Sequence, residues 1–182
     1  MMTSIDPRLF RDVLGRFATG VTVVTVRAPH DTAGEPAALR ASPDETIAPA
    51  TVHGMTVNAF MSVSLDPPLV AIGIDRKAKA LAALLTTDRF GISVLEESQR
   101  GLSDQFAGRP VPQQHDPFVS LDGFPVVTGA LAQIVCRRWR TMEAGDHTLF
   151  VGEVEALRHD TGDPLLYFGG RYRALLDPGS VG

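Results

Sequence analysis

The feature that most constrains the fold is the run GMTVNAFMSVSLDPPLVAIGI, from Gly54 to Ile74. Apolar residues take the odd positions Met55, Val57, Ala59, Met61, Val63 and Leu65. Thr56, Asn58, Ser62 and Ser64 take the even ones, and Phe60 alone breaks the rule. A period of two is the pattern of a strand with one buried and one polar face. The run therefore reads as one strand from Met55 to Leu65, ended by Pro67-Pro68, neither of which can donate to a ladder. Leu69 to Ile74 is apolar throughout, as in a strand covered on both faces.

The rest of the chain repeats this theme of short strands. Asp6 can cap a helix with Pro7 at its first position, and Leu9, Phe10, Val13, Leu14 and Phe17 then share one face. Val21 to Val26 is β-branched throughout, which favours a strand. From about 28 to 52 no period is sustained, and this stretch reads as a loop insertion. Ala78, Leu81, Ala82, Leu84 and Leu85 mark a helix, Phe90 to Leu95 a strand, and Glu97 to Phe106 a surface helix. Residues 108–122 read as a connecting loop, with strands at about 129–138, 147–158 and 165–168. Turn-rich links between short strands describe a mainly β barrel with a few peripheral helices, not βαβ units. A chain of 182 residues, 44% of them apolar, fits a single domain spanning 1–182.

Composition removes several classes of function. The formal charge is −4 and the two basic clusters, at Arg76–Lys79 and Arg137–Arg140, are short, so no nucleic-acid partner is expected. No stretch approaches the roughly 18 to 20 apolar residues of a membrane span. The N-terminus lacks a charged start and apolar centre, and the single cysteine, Cys136, suits a reducing compartment, so a cytoplasmic location is expected. There is no GxGxxG, no GxxxxGK[ST], no HExxH and no GxSxG. The five histidines are scattered, and no metal site is expected.

Four local patterns can still carry chemistry. The polar face formed by Thr56, Asn58, Ser62 and Ser64 offers small donors, and the backbone of 56–60 can lie along a flat ring. Asp75-Arg76-Lys77-Ala78-Lys79 follows a buried strand and opens a helix, where free N–H groups and cations suit a phosphate. Gly145-Asp146-His147 is a turn leading into a strand. Near the C-terminus, Phe168-Gly169-Gly170-Arg171-Tyr172 joins permissive glycines to an aromatic ring and a cation.

Taken in order, FRDVLGRFATGVTVVT, GMT, SVSLDPPLV, GDH and PLLYFGGRYR resemble the flavin reductase family, whose members deliver reduced FMN or FAD to two-component monooxygenases. The likeness runs from Phe10 to Tyr172. It implies an FMN-binding split β-barrel with Greek-key-like order and a homodimer with each flavin near the subunit interface. The implied activity is hydride transfer from NADH or NADPH to FMN or FAD, with a monooxygenase component as a further partner. The reactive chemistry then belongs to the cofactors, and the protein mainly holds two flat rings in register. The resemblance implies that His147 positions the nicotinamide donor. It also places Thr56, Val57, Asn58, Ala59, Ser62 and Ser64 along the flavin and Asp75, Arg76, Lys77 and Lys79 at its phosphate. Gly145, Asp146 and Tyr172 lie close by, with Phe106 and Arg109 toward the outer edge. Two features depart from the family: the insertion at 28–52, and Lys77, Ala78 and Lys79 where Ser and Thr are usual. Two other readings stay open, a non-catalytic FMN carrier and a flavin oxidase resembling pyridoxamine phosphate oxidases.

Overall fold

The computed structural model describes residues 5–27, 52–109 and 116–175. The expected insertion falls almost entirely outside these residues. Among them a seven-stranded antiparallel sheet forms the frame. Its strands are β2 (Thr22–Arg27), β3 (Val52–Val57), β4 (Phe60–Leu65), β5 (Pro68–Asp75), β6 (Arg89–Val94), β9 (Ala132–Ala144) and β10 (His147–His159), in the order β3-β2-β6-β9-β10-β5-β4. The other described elements are α1 (Pro7–Leu14), β1 (Thr19–Gly20), α2 (Leu81–Thr86), α3 (Arg100–Phe106), β7 (Phe118–Leu121), β8 (Phe124–Val127), β11 (Leu166–Phe168) and β12 (Arg171–Arg173).

The run expected as one strand is two. β3 ends at Val57 and β4 starts at Phe60, and these sequence neighbours form opposite edges of the sheet. Seven flat strands would set those edges about 29 Å apart, whereas three peptide steps reach about 11 Å. The sheet must therefore curl until its edges meet across Asn58-Ala59, which gives the expected mainly β, barrel-like fold. The Gly73 N–H donates to the Ala59 carbonyl at 2.9 Å and ties the link to β5.

Burial follows from that curl. β2 and Val21 just before it are buried on both faces: Val24 and Val26 enter the main core with Ile72, Ile74, Phe90, Ile92 and Phe150, and Val21 and Val23 enter a second core with Leu95, Val127 and Leu165. α2 plugs the main core with Ala83 and Leu84. Met61, Val63 and Leu65, expected on a buried face, are exposed at 60%, 46% and 92%. Ile72, paired with Phe60, points into the core, and the alternation sends Met61 to the outside. A bulge between Ser62 and Ser64 then breaks the period.

Other boundaries also move. β5 begins at Pro68, the one strand position where a missing donor costs nothing. α2 starts at Leu81 rather than Ala78. β7 and β8 form a hairpin inside and just beyond the stretch expected as a loop, of which 110–115 lie outside the described residues. β9 runs on to Ala144, and Arg171–Arg173 pairs as a strand against β11.

Candidate functional site

The edge-to-edge link at Asn58-Ala59 organises the site. Both residues are exposed, and among the described residues no acceptor takes the N–H of either. The Phe60 N–H donates to the Asn58 carbonyl at 3.0 Å, so the link turns tightly about Ala59, and the two donors left free among the described residues match the carbonyl and nitrogen edge of a flat heterocycle. Val57, by contrast, buries its side chain in the main core and offers only its carbonyl, which already accepts from the Thr22 hydroxyl at 2.6 Å.

On one side of the link lies a cleft of about 520 Å³. Thr56 and Asn58 line it from the β3 end, Arg100 and Ser103 from α3, Arg109 from the segment after α3, and Tyr167, Gly170, Arg171 and Tyr172 from the C-terminal sheet. Local chemistry fixes α3 as its wall. Glu96 and Gln99 form a reciprocal capping box that starts the helical turn at Glu97–Gln99 leading into α3. The Ser98 hydrogen bonds hold the Glu96 carboxyl below its ordinary range. The Thr56 hydroxyl then donates to the Ser103 carbonyl at 2.7 Å, fastening α3 to β3.

Glycine makes this approach possible. A Cβ on Gly54 would sit 2.4 Å from the Phe106 ring. Phe106 therefore packs over β3 and against Phe118, ring centroids 5.7 Å apart, behind the cleft wall rather than among its lining residues. Tyr172 is held from two sides. Its hydroxyl lies 2.9 Å from Ser103 Oγ and 3.3 Å from Asp104 Oδ1, and the Arg100 guanidinium stands 5.1 Å over its ring. Arg109 pairs with Asp104 at 2.8 Å.

On the other side of the link lie the second group of expected residues. The Arg76 N–H donates to the Asp146 carbonyl at 2.9 Å, so the 75–79 segment and the Gly145-Asp146-His147 turn form one unit. Gly145 takes φ +63°, a conformation that favours glycine. His147 Nδ1 lies 2.7 Å from Asp146 Oδ1, and this hydrogen bond holds the Asp146 carboxyl below its usual range, with the imidazole charge and Lys77 adding to the effect. His147 pairs with Asp75 across the sheet. Two residues on and on the same face, Leu149 reaches the Gly73 position that Ala59 also faces.

The phosphate reading changes in one respect. α2 begins at Leu81, so its N–H groups are not presented at Lys77, and Asp75 Oδ1 already takes the Lys77 N–H at 2.8 Å. What remains is the charge of Arg76, Lys77 and Lys79 on an exposed turn. Ser62 and Ser64 stand further along β4, and Ser64 Oγ accepts from the Asp66 N–H. No metal-binding cluster occurs among the described residues, and no described helix is long and apolar enough to cross a membrane.

Several cleft residues escape sequence reasoning. Arg100 and Ser103 sit one helical turn apart on one face of α3, a spacing visible in the sequence but without a partner to give it meaning. Gly170 and Arg171 belong to the C-terminal motif and Tyr167 stands just before it, but only Tyr172 of that stretch is expected at the cofactor from the sequence.

The residues present suit a flavin nucleotide. Free backbone donors border the cleft, cations flank both sides of the link, and Gly170, at φ +75°, has nothing within 4 Å where its Cβ would be. Comparisons with known proteins agree. Residues 14–176 match the family model for the flavin reductase like domain. An NADH-dependent flavin reductase from Rhodococcus is 40% identical over 94% of this chain and 88% of its own length. The reductase component of 4-hydroxyphenylacetate 3-monooxygenase from Thermus thermophilus is 38% identical over 93% of this chain and 97% of its own. The solved structure of the NADH:FAD oxidoreductase of Streptomyces globisporus, in complex with NAD and FAD fragments, superposes with a TM-score of 0.76 at 34% identity, covering 98% of this chain and 99% of that one. The matched region spans nearly every described element, from the end of α1 to β12, and the chain belongs to the flavin reductase family.

Proposed function

We propose that the protein catalyses NAD(P)H-dependent reduction of FMN or FAD, and that Asn58-Ala59 is the edge against which the flavin ring is held. The observation that carries this reading is the pair of N–H groups, without an acceptor among the described residues, on a link between the cleft and the His147 turn. Bound flavin supplies the two-electron acceptor, and the dihydronicotinamide supplies the hydride. The chain's own residues orient the two. Asn58 and Ala59 donate to the polar edge of the ring, Arg76, Lys77 and Lys79 attract the phosphate, and the exposed imidazole of His147 positions the nicotinamide. No acid or base is required at the reacting atoms, because the hydride carries its proton with the electrons. Hydrogen-bond donors fixed before the substrate arrives lower the cost of forming the encounter geometry.

The reduced flavin then leaves for an oxygenase component. Support comes from relatives named as reductase components and from the exposed character of the link, which leaves the ring edge open to exchange.

The working unit is a homodimer. In the single chain α1 buries none of its residues, although Leu9, Phe10, Val13 and Leu14 make an apolar face. Met61, Trp139 and Met142 are likewise more than half exposed. Apolar surface on this scale is usual where a second subunit covers it.

The test is direct. Purified protein is mixed with NADH or NADPH and with FMN or FAD, and nicotinamide absorbance is followed. Turnover above the free-flavin background in at least one pairing is expected, and its absence in all four rejects the activity.

A further inference from the structure

The imidazole of His147 is held at one nitrogen and free at the other. Nδ1 lies 2.7 Å from Asp146 Oδ1, and among the described residues no other protein group hydrogen-bonds the ring. The main chain leaves the pair little other freedom. His147 opens β10 between two neighbours, paired with Asp75 of β5 and with Ala144 of β9, and the Arg76 N–H binds the Asp146 carbonyl at 2.9 Å. With the backbone of both residues so fixed, what remains to be set is the orientation of the ring, and the Asp146 carboxylate sets it.

That bond also decides where the ring hydrogen sits. The Asp146 carboxyl is held below its usual range and is ionised at neutral pH. An ionised carboxylate only accepts, so in the neutral ring Nδ1 carries the hydrogen and Nε2 presents a lone pair. An imidazole side chain without such a partner favours the opposite tautomer, with its hydrogen on Nε2.

The surroundings of Nε2 suit a nicotinamide. His147 shares a face of β10 with Leu149. Leu149 Cδ2 stands 3.5 Å, and Ala59 Cβ 3.2 Å, from where a Cβ on Gly73 would be. Leu149, Gly73 and Ala59 thus form a small apolar shelf that runs from the His147 turn to the Asn58-Ala59 link. With 44% of its side chain exposed, His147 is the polar group at the end of that shelf. A dihydronicotinamide is flat and apolar except for its carboxamide, whose NH2 is a donor that an imidazole lone pair can satisfy.

We infer that Asp146 is a positioning residue that fixes the Nδ1–H tautomer of His147, so that Nε2 accepts a hydrogen bond from the carboxamide NH2 of the nicotinamide donor. The inference rests on the reading of the protein as a reductase with His147 at the donor, and deepens it by naming the recognised group, a primary carboxamide, and the direction of the bond.

Two measurements test it. The first compares NADH with its reduced acetylpyridine analogue, whose acetyl group keeps the carbonyl and lacks the N–H, at fixed flavin. Because the two donors differ in intrinsic reactivity, the quantity read is their kcat/KM ratio in each variant relative to the wild type. His147→Ala is expected to lower the ratio about tenfold, the loss of one hydrogen bond made to NADH alone, and Asp146→Ala at least about threefold. A ratio that His147→Ala leaves unchanged overturns the carboxamide bond, and one that Asp146→Ala leaves unchanged overturns the positioning role. A merely structural role for Asp146 would lower activity with both donors equally.

The second measurement locates the ring hydrogen by nitrogen NMR of histidine-labelled protein at mildly alkaline pH, with the His147 signals identified by their absence from His147→Ala. It needs neither flavin nor turnover, so it separates failure of this inference from failure of the reductase reading. Hydrogen on Nδ1 in the wild type, shifted toward Nε2 in Asp146→Ala and intermediate in Asp146→Asn, supports the inference. Hydrogen on Nε2 in the wild type, or one tautomer in all three proteins, overturns it. Unchanged melting temperatures show that the fold is intact in each variant.

Discussion

The Tyr172 hydroxyl stands 2.9 Å from Ser103 Oγ and 3.3 Å from the Asp104 carboxylate. One phenolic proton can go to only one acceptor, so Tyr172 donates to Asp104 and receives the Ser103 proton. This joins β12, the last described strand, to α3, which forms the opposite wall of the cleft. Tyr172→Phe keeps the ring under Arg100 and removes the tie. Loss of about 1 kcal/mol of stability is expected, seen as a fall of roughly 2–4 °C in melting temperature for a chain of this size. Flavin or nicotinamide KM should rise with it, because the cleft walls are no longer fixed to each other.

The contact between β10 and the core leaves no room at Gly152. A Cβ there would lie 2.5 Å from the Phe90 ring and 2.7 Å from Cys136 Cβ, and both neighbours are fully buried. At Gly54 the obstacle is the Phe106 ring alone, which is only partly buried and sits at the end of α3. Gly152→Ala is therefore expected to cost more than Gly54→Ala, each within the roughly 1–3 kcal/mol range of overpacking changes. Denaturant unfolding of both variants checks the order. Gly54→Ala should carry the larger functional penalty, since it displaces the cleft wall.

Most of the frame is legible in the sequence because β-branched and alternating runs allow few other structures. Val21 to Val26, Leu69 to Ile74 and Phe90 to Leu95 fall in or beside strands for that reason. The break at Asn58-Ala59 is not legible. Its residues keep the alternation, and only closure of the sheet, a long-range event, forces the chain to cross from one edge to the other. The burial of β4 is misread for a related cause. Period two shows that the faces differ, but it does not show which face the core covers, and Met61 faces outward. The β7–β8 hairpin is masked by Pro110, Pro112 and Pro117 just ahead of it, which make the whole stretch read as a loop, although Asp122-Gly123 between its strands is a turn signal of the kind hairpins use. Within the site, Thr56, Asn58, Arg109 and Tyr172 come together at one cleft, and Asp75–Lys79 joins the Gly145–His147 turn. Arg100 and Ser103 gain meaning only once α3 is packed against β3.

The Asp146–His147 pair sets a pH expectation. The hydrogen bond to His147 lowers the Asp146 carboxyl from its ordinary value of 3.8. A depressed carboxylate contributes its pairing above that value and loses it as pH falls through the lowered one. The imidazole should therefore stay oriented at neutral pH and come loose only in acid. His147→Ala is expected to leave the melting temperature unchanged, since the ring is exposed, and to reduce kcat/KM for the nicotinamide donor about tenfold, the loss of one hydrogen bond. Asp146→Asn should produce part of that loss, because it weakens the orientation and keeps the imidazole.

Cys136 should be inert in the folded protein. It is fully buried, and burial, with a smaller contribution from the Glu155 charge, pushes its thiol up to about 12. A group whose folded value is raised stabilises the fold most below its unfolded value and loses that contribution as pH rises toward the folded one. Stability is thus expected to decline from about pH 9 upward, where an unfolded thiol ionises. Titration with a thiol reagent at pH 8 should find no reactive group until denaturant is added.

The outer face of the sheet offers the last expectation. In register order Met61 faces Ala71, which faces Val151, which faces Arg140, while Met142 faces Leu149 in the next row of the same face. Four strands thus present a nearly continuous apolar surface, and Met61 and Met142 remain more than half exposed. Burying such a face against a second copy would gain roughly 25 cal/mol for each Å² covered, and a stable pair would cover about 800 Å² per partner. A carboxylate placed on it at Met61, the β4 end of that row, would have to be desolvated in the pair three strands away from Arg140 at the other end. Met61→Glu is accordingly expected to shift the protein toward monomer in sedimentation experiments without unfolding it, because in the single chain that side chain faces water. A dimer of undiminished strength would place the subunit contact elsewhere, with the unpartnered apolar face of α1 as the next surface to alter.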